Sequence, residues 1–251
     1  MIELRSLGTA NLVCADARDV RSVLTQPKRL ALLVYLAVAK PRGFHRRDTL
    51  LALLWPEQDR PHARASLRKA LHGVRRVLGK GVVAGRGVEE LAVAESTLTC
   101  DAVAFEAGVR GGQFAQALAL ALYQGDFLRG FYVTGAPEFE RWCEQERSRL
   151  KSLASEAGMS LAQIALRDRR PREAIRWARW CADLEPYDES ALRDVMYVLC
   201  RVGDRAEALR AYDAFAERLV RDLHVRPSAE TRSLRHMVTI SADFDLEPAA
   251  E

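Results

Sequence analysis

The segment from residue 59 to residue 79 constrains the fold more than any other, because its pattern is that of one long amphipathic helix. Between its ends it holds no glycine or proline except Pro61, near the start, and Gly73. Apolar residues recur at i, i+4, i+7 and i+11, namely Leu67, Leu71, Val74 and Leu78. At about 100° per residue these side chains form one narrow stripe. The stripe predicts a helix that packs its apolar back against a core.

The rest of this helix surface is cationic or small. The residues opposite the stripe are Ala65, Lys69, His72 and Arg76, and those on its flank are Arg64, Arg68 and Arg75. Cations bind phosphates and guanine edges, and small side chains allow a helix to come close to bases. The surface therefore suits a recognition helix. An ordinary amphipathic helix with a solvated basic face would show the same pattern, so the helix alone leaves both interpretations open.

Short strands and two further helices are predicted before this segment. Residues 2–24 combine apolar positions and valines with turn-forming residues, which favours short extended runs. Pro27 suits the first turn of a buried helix that ends before Pro41. A second helix fits Arg47 to Trp55 and stops at the proline that follows. It has no Ser, Thr or Asp at the expected cap, so its start is less defined, and we expect Trp55 in the core.

A hairpin is predicted after Gly79. Val82-Val83 and Leu91-Ala92-Val93 are short extended runs on either side of a glycine-containing turn. Strands, three helices and a hairpin follow one another as in a winged helix, in which the last helix enters the major groove and the hairpin reaches the DNA backbone. Glu89 and Glu90 would repel phosphate, so Arg86 is the one wing contact we predict.

The charge distribution divides the chain into a basic and an acidic part. Residues 1–98 hold 17 Lys and Arg against 9 Asp and Glu, a balance of +8. Residues 99–251 hold 21 basic and 25 acidic residues, a balance of −4. This asymmetry favours nucleic-acid contact by the first part and a different role for the second. Many solvated surfaces also reach such a balance.

Residues 101–240 read almost wholly as helix. The predicted breaks are Gly111-Gly112, Gly125, Gly130 to Pro137, Gly158, Arg169 to Pro171, Pro186, Gly203 and Pro227. A repeat of 34 residues relates Ala174-Ile175 to Ala208-Leu209, and Ala178 to Tyr212. This is the tetratricopeptide period, in which small residues stand where two antiparallel helices touch. A generic alanine-rich helical bundle is the alternative.

The sequence gives no indication of a membrane protein, a secreted protein, an enzyme or a metal-binding protein. The longest apolar run, Leu30 to Ala39, is about half a membrane span, and residues 1–25 lack the pattern of a signal peptide. The five cysteines are widely spaced with no CxxC, so we expect reduced, mostly buried thiols in a cytoplasmic protein. The chain has no GxxxxGK[ST], HExxH or GxSxG pattern, and no two histidines at metal-ligand spacing. We therefore predict neither an enzyme nor a cofactor or metal site.

The N-terminal part resembles the OmpR-type winged helix as it occurs in SARP-type transcriptional activators. The matching stretches are Lys28 to Leu33, Arg47-Asp48-Thr49-Leu50 with Leu54-Trp55-Pro56, and Val74 to Gly79. In the last stretch Val74 stands where the family usually has Leu. Leu98, Asp101 and Phe105 resemble the exit from the wing into the next domain. The resemblance implies sequence-specific binding of double-stranded DNA.

The remainder resembles the bacterial transcriptional activator domain that follows the winged helix in those proteins. The matching stretches are Leu118 to Leu120, Tyr123 to Leu128, Trp142, Glu146 to Leu150, Leu184 to Glu189, Val202 to Arg205, Ala208-Leu209, Tyr212, Leu219 to Leu223, Val225, Pro227-Ser228 and Glu230-Thr231. His224-Val225 departs from the Leu-Gly that is common there. The resemblance implies self-association, with a homodimer on direct repeats, and contact with RNA polymerase.

These observations predict a mostly α protein: an α+β winged helix-turn-helix domain at 1–98, an all-α tetratricopeptide-like activator domain at 99–240, and an acidic tail at 241–251. The predicted DNA-binding residues are Arg64, Arg68, Lys69, His72, Arg75, Arg76 and Arg86. Two alternatives remain: a helical-repeat scaffold that binds a protein partner without specific DNA readout, and a truncated sensor-regulator whose natural chain continues.

Overall fold

The computed structural model describes residues 1–14 and 20–240 and divides the chain into two compact units, Met1–Leu153 and one that begins at Ala154. The strands are β1 (Ile2–Arg5), β2 (Asn11–Cys14), β3 (His45–Arg46), β4 (Val83–Arg86), β5 (Glu90–Val93) and β6 (Leu98–Cys100). The helices are α1 (Arg21–Leu24), α2 (Pro27–Val38), α3 (Arg47–Leu54), α4 (Arg60–Leu78), α5 (Asp101–Val109), α6 (Gln113–Leu122), α7 (Pro137–Arg167), α8 (Pro171–Leu184), α9 (Glu189–Arg201), α10 (Arg205–Leu223) and α11 (Ala229–Ile240). The predicted acidic tail lies outside the described residues.

Two small sheets frame the first unit. In one, β1 is central, antiparallel to β2 and parallel to β6. In the other, β5 is central and antiparallel to both β3 and β4, which confirms the hairpin and adds a two-residue strand at its side. These sheets and helices α2 to α4 form the predicted winged helix.

One prediction in the first 24 residues is wrong. The expected strand around Val20 to Leu24 is the short helix α1, which begins where the carbonyl of Val20 accepts hydrogen bonds from the amides of Val23 and Leu24. Val23 is completely buried. Burial of its side chain therefore outweighs the preference of a β-branched residue for extended chain. Residues 15–19, within the same predicted stretch, lie outside the described residues.

The apolar stripe of α4 is buried as predicted. Leu67, Leu71, Val74 and Leu78 are each no more than 3% exposed, and Trp55 is 6% exposed. Gly73 is also buried, and an added Cβ there would come within 2.6 Å of Nε of Arg29 in α2. The glycine thus allows α4 to lie close to α2, and the helix continues through it.

Replacing Leu71 by alanine should destabilise the first unit by about 2–5 kcal/mol, because the change removes buried methyl groups and leaves a cavity. Chemical unfolding followed by circular dichroism measures the loss. Val88→Ala is the control, since Val88 is 80% exposed, and should change stability by no more than about 0.5 kcal/mol. A Leu71→Ala protein with unaltered unfolding would show that the stripe is not core.

The first unit extends past the predicted domain boundary at residue 98. Strand β6 begins at that residue and pairs with β1. Directly after it, the buried carboxylate of Asp101 accepts hydrogen bonds from the amides of Ser6 and Leu7 and from the Ser6 hydroxyl, at 2.6 to 2.9 Å. Residues on both sides of the boundary therefore share hydrogen bonds, and a separate domain at 1–98 stays a prediction.

The second unit consists of antiparallel helices around an alanine-rich core. The residues related by the 34-residue repeat occupy matching buried places in two helices: Ala174 and Ala178 in α8, and Ala208 and Tyr212 in α10. Helix α9 packs against both α8 and α10. The fold is therefore mostly helical, with paired helices after a winged helix, as the sequence predicted.

The predicted helix break at Gly158 is wrong, because α7 continues through it to Arg167. An added Cβ at Gly158 would lie 2.6 Å from Sγ of Cys181 and 3.1 Å from the ring of Trp180. This glycine makes room for α8 instead of ending α7. Among residues 1–14 and 20–240, no helix has both the length and the apolar character needed to cross a membrane.

Candidate nucleic-acid interface

Helix α4 is held at both ends by its own sequence. Asp59 caps its start, with Oδ1 accepting from the amide of His62 at 2.9 Å, and a proline occupies the first turn, where no amide donor is needed. Gly79 ends it with a φ of 104°, a conformation that favours glycine. With 19 residues the helix is about 28 Å long. It is therefore long enough to present several turns to a partner.

Five of the six predicted contact residues on α4 are exposed, and the sixth, Arg75, is half-buried. Within the described part of the chain, Arg68, Lys69 and Arg76 take part in no ion pair. Arg64 lies 3.9 Å from Asp48, whose other oxygen binds Arg60 more closely, at 2.6 Å. No carboxylate in the described part of the chain therefore competes with a partner for Arg68, Lys69 and Arg76.

A groove of about 490 Å³ runs beside α4. We call it the basic groove. The residues that line it are Arg47, Arg68, Leu71, His72, Arg75, Arg76 and Lys80. A second depression of about 280 Å³ shares Arg47 and Arg68 with it and adds Arg64, Leu67, Val88 and Glu89. The structure therefore brings Arg68, His72, Arg75 and Arg76 together in one place, with Arg64 next to them. Lys69 is exposed on α4 but lines neither groove.

Arg75 has a structural contact besides its place in the basic groove. Its Nη2 donates to the carbonyl of Val83 at 2.8 Å, which fastens α4 to the first strand of the hairpin. The hairpin is fastened a second time where the amide of Arg47 donates to the carbonyl of Glu89 at 2.8 Å. The wing is therefore fixed relative to α3 and α4.

The predicted wing contact, Arg86, lies apart from the basic groove. Its Nε donates to Oε2 of Glu90 at 2.5 Å, and its guanidinium lies 4.7 Å from the ring centre of Phe44. The bond to Glu90 raises the pKa of Arg86 above its ordinary value. Because Glu90 already pairs with this guanidinium, Arg86 should attract a DNA phosphate less strongly than the cations of α4 do.

Sequence reasoning missed two residues of the basic groove, Arg47 and Lys80. Arg47 is predicted from the sequence to start a helix and lies in a stretch that resembles the family, but it is not predicted as a contact, although it forms a basic pair with Arg46 in a basic part of the chain. Lys80 directly follows the glycine that ends α4 and so continues its cationic side. A count of cations around the ends of the predicted helices would have found both.

A winged helix with a cationic groove on its third helix, followed by paired antiparallel helices, defines a class: transcriptional regulators built from a DNA-binding unit and a helical unit. The family model described as bacterial transcriptional activator domain matches residues 100–239. The chain therefore belongs to this family and, with its N-terminal winged helix, is a SARP-type transcriptional activator.

A solved structure has the same fold. It is described as Mycobacterium tuberculosis EmbR in complex with a low-affinity phosphopeptide, and it is similar to this chain with a TM-score of 0.66 at 22% sequence identity. The similarity covers 97% of this chain and 66% of that one. A comparison with curated protein sequences found no match.

Proposed function

We propose that this activator binds specific sites on double-stranded DNA by placing α4 in the major groove. The observation that carries the proposal is the basic groove, whose cations form no ion pair with the carboxylates of residues 1–14 and 20–240 and lie beside an exposed helix face. The major groove of B-DNA, about 12 Å wide, admits an α-helix, and its base edges carry the information that distinguishes sequences.

The predicted contacts divide into two kinds. We assign Arg68 and Lys69, which are exposed along the middle of α4, to base edges, and Arg64, Arg75 and Arg76 to phosphates. Base contacts specify the site, and phosphate contacts set the orientation of the protein on the duplex.

We propose that the helical unit supplies self-association and contact with RNA polymerase. The family description and the balance of −4 after residue 98 support this role. Two associated copies bound to direct repeats would each raise the effective concentration of the other at the DNA. The apparent affinity of the pair for DNA would therefore exceed that of a single copy. Mass photometry on duplexes with one or two half-sites tests the homodimer.

Selection of bound duplexes from a random pool, followed by titration with and without competitor DNA, tests DNA recognition. The full chain should enrich a defined sequence and prefer it to random DNA by at least about 10³-fold. A purified transcription assay with bacterial RNA polymerase should then show activation only on templates that carry the site. Binding without sequence preference would favour the scaffold alternative.

A further inference from the structure

A second group of arginines lies in the helical unit, at the ends of α7 and α9. Arg167 is the last residue of α7 and Arg201 is the last residue of α9. Both line one depression of about 230 Å³, which we call the arginine pocket, together with Gln163, Leu166 and Tyr197. The guanidinium of Arg201 lies over the ring of Tyr197, 6.0 Å from its centre. The pocket thus combines two cations with an aliphatic and an aromatic side chain.

The two guanidinium groups of the pocket are available to a partner that carries carboxylates. Arg167 and Arg201 are exposed, and neither takes part in an ion pair within the described part of the chain. The carboxylates nearest to Arg167 in the sequence are Asp168 and Glu173. Both of them pair with Arg170 instead, at 2.8 and 2.5 Å.

The chain that follows α11 begins near this pocket. Arg205 opens α10 four residues after Arg201, and its Nε donates to the carbonyl of Val238 in the last turn of α11, at 3.1 Å. At no more than about 3.6 Å per residue, Arg201 lies within about 14 Å of Arg205. By the same measure, the stretch from Ile240 to Glu247 spans up to about 25 Å. The residues after α11 are therefore numerous enough to reach the arginine pocket.

Residues 241–251, which lie outside the described residues, have a composition that complements the pocket. They contain four carboxylates and no Lys or Arg. From Asp243 to Glu247 the acidic residues alternate with Phe244 and Leu246, and we call this stretch the acidic segment. The planar fork of arginine binds a carboxylate through two parallel hydrogen bonds. The apolar residues of the segment match the aliphatic and aromatic side chains of the pocket.

We propose that the arginine pocket binds the acidic segment of the same chain. This interaction goes beyond the proposed function and does not depend on it. Exposed ion pairs each contribute little, but a segment tethered this closely has an effective concentration of about 1 mM, so a weak affinity is sufficient. DNA is a less suitable occupant, because its backbone offers no apolar group to Leu166 and Tyr197. An acidic region of another protein would have to displace the segment, which therefore limits access to this part of the helical unit.

A labelled peptide of residues 241–251, titrated with the full chain and followed by fluorescence anisotropy, tests the pocket. In one full-length variant, the tail variant, Asp243→Asn, Asp245→Asn and Glu247→Gln remove the charges of the chain's own segment. The wild type should bind the peptide about tenfold more weakly than the tail variant does. This ratio is expected for a Kd of about 0.1 mM and a competing segment at about 1 mM. Equal binding by the two proteins, or binding by neither, would overturn the proposal.

Further variants locate the bound peptide. Arg167→Gln and Arg201→Gln, added together to the tail variant, should weaken peptide binding about tenfold or more, because hydrogen bonds between charged groups are lost. The matched control adds Arg226→Gln and Arg232→Gln, which change two exposed arginines of the same unit outside the pocket, and should leave the affinity unchanged. Circular dichroism verifies that each variant is folded. If the pocket variant binds the peptide as well as the tail variant does, the peptide lies elsewhere and the proposal is overturned.

Two measurements distinguish other occupants. Hydrogen exchange at the ends of α7 and α9 should be slower in the wild type than in the tail variant, to the same extent at low and high protein concentration. Protection that increases with concentration would assign the bound segment to a second copy and overturn the proposal. Arg167→Gln with Arg201→Gln in the otherwise unchanged chain should keep the affinity and salt slope for a selected duplex, whereas a smaller slope would assign the pocket to nucleic acid. If the wild type binds no duplex, the proposed function fails, and the peptide and exchange measurements still decide this proposal.

Discussion

Replacing Arg68, Lys69 and Arg76 together by alanine should weaken binding to a selected duplex by about 10²–10⁴-fold. Each base-reading side chain is expected to contribute about 1–3 kcal/mol, and a factor of ten corresponds to about 1.4 kcal/mol. Loss of the phosphate contact at Arg76 should also reduce the salt slope by about 0.9. A titration at several salt concentrations measures both. The preference for the selected over a random duplex should fall as well, since two of the three changes remove base contacts.

The control removes the same number of charges from exposed arginines of the first unit that lie outside α4. Alanine at Arg5, Arg110 and Arg141 should leave the preference for the selected sequence unchanged. Both triple variants should keep the wild-type circular dichroism spectrum, because all six side chains are exposed. Equal affinity and slope in the folded α4 variant would mean that DNA, if bound, lies against another surface.

Periodic features were predictable from the sequence. The stripe of α4 extends over three helical turns, so its register could be read from four residues, and the 34-residue repeat marks equivalent places in α8 and α10. Both signals come from side chains that repeat at the spacing of regular structure. The cationic face of α4 follows directly from the stripe, because it is the remaining surface of the same helix.

Features that depend on distant parts of the chain were not predictable in this way. Strand β3 has two residues, too few for a period, and exists because β5 pairs with it. The place of Arg47 in the basic groove depends on the approach of α3, α4 and the hairpin. Gly158 has the sequence signature of a break, but its role is set by Cys181, which is 23 positions further on. In each case a tertiary contact decides what a local pattern leaves open.

Replacing Asp101 by alanine should have the largest effect on stability, about 3–5 kcal/mol for the first unit. Asp101 is 8% exposed, and its carboxylate accepts hydrogen bonds from the backbone amides of Ser6 and Leu7 and from the hydroxyl of Ser6. A fourth bond comes from the amide of Ala102 at 2.7 Å. Alanine leaves these buried donors without an acceptor, at about 1–3 kcal/mol each for the amides. Urea unfolding followed by circular dichroism measures the change.

Two further variants, Asp101→Asn and Glu138→Ala, serve as controls for the stability loss of Asp101→Ala. Asparagine keeps the shape of the side chain and one acceptor oxygen. The free energy of unfolding of Asp101→Asn should therefore lie between that of Asp101→Ala and that of the wild type. Glu138 is exposed and pairs with Arg141 on the surface of α7, so its replacement should cost no more than about 1 kcal/mol. If Asp101→Ala unfolds like the wild type, the Asp101 side chain is not what joins residues 6 and 7 to the chain beyond residue 98, and the backbone bonds of Ser6 and Gly8 to residues 126 and 128 would have to do so. A large loss would instead show that strand β1 needs α5, and that the DNA-binding unit folds together with the start of the activator domain.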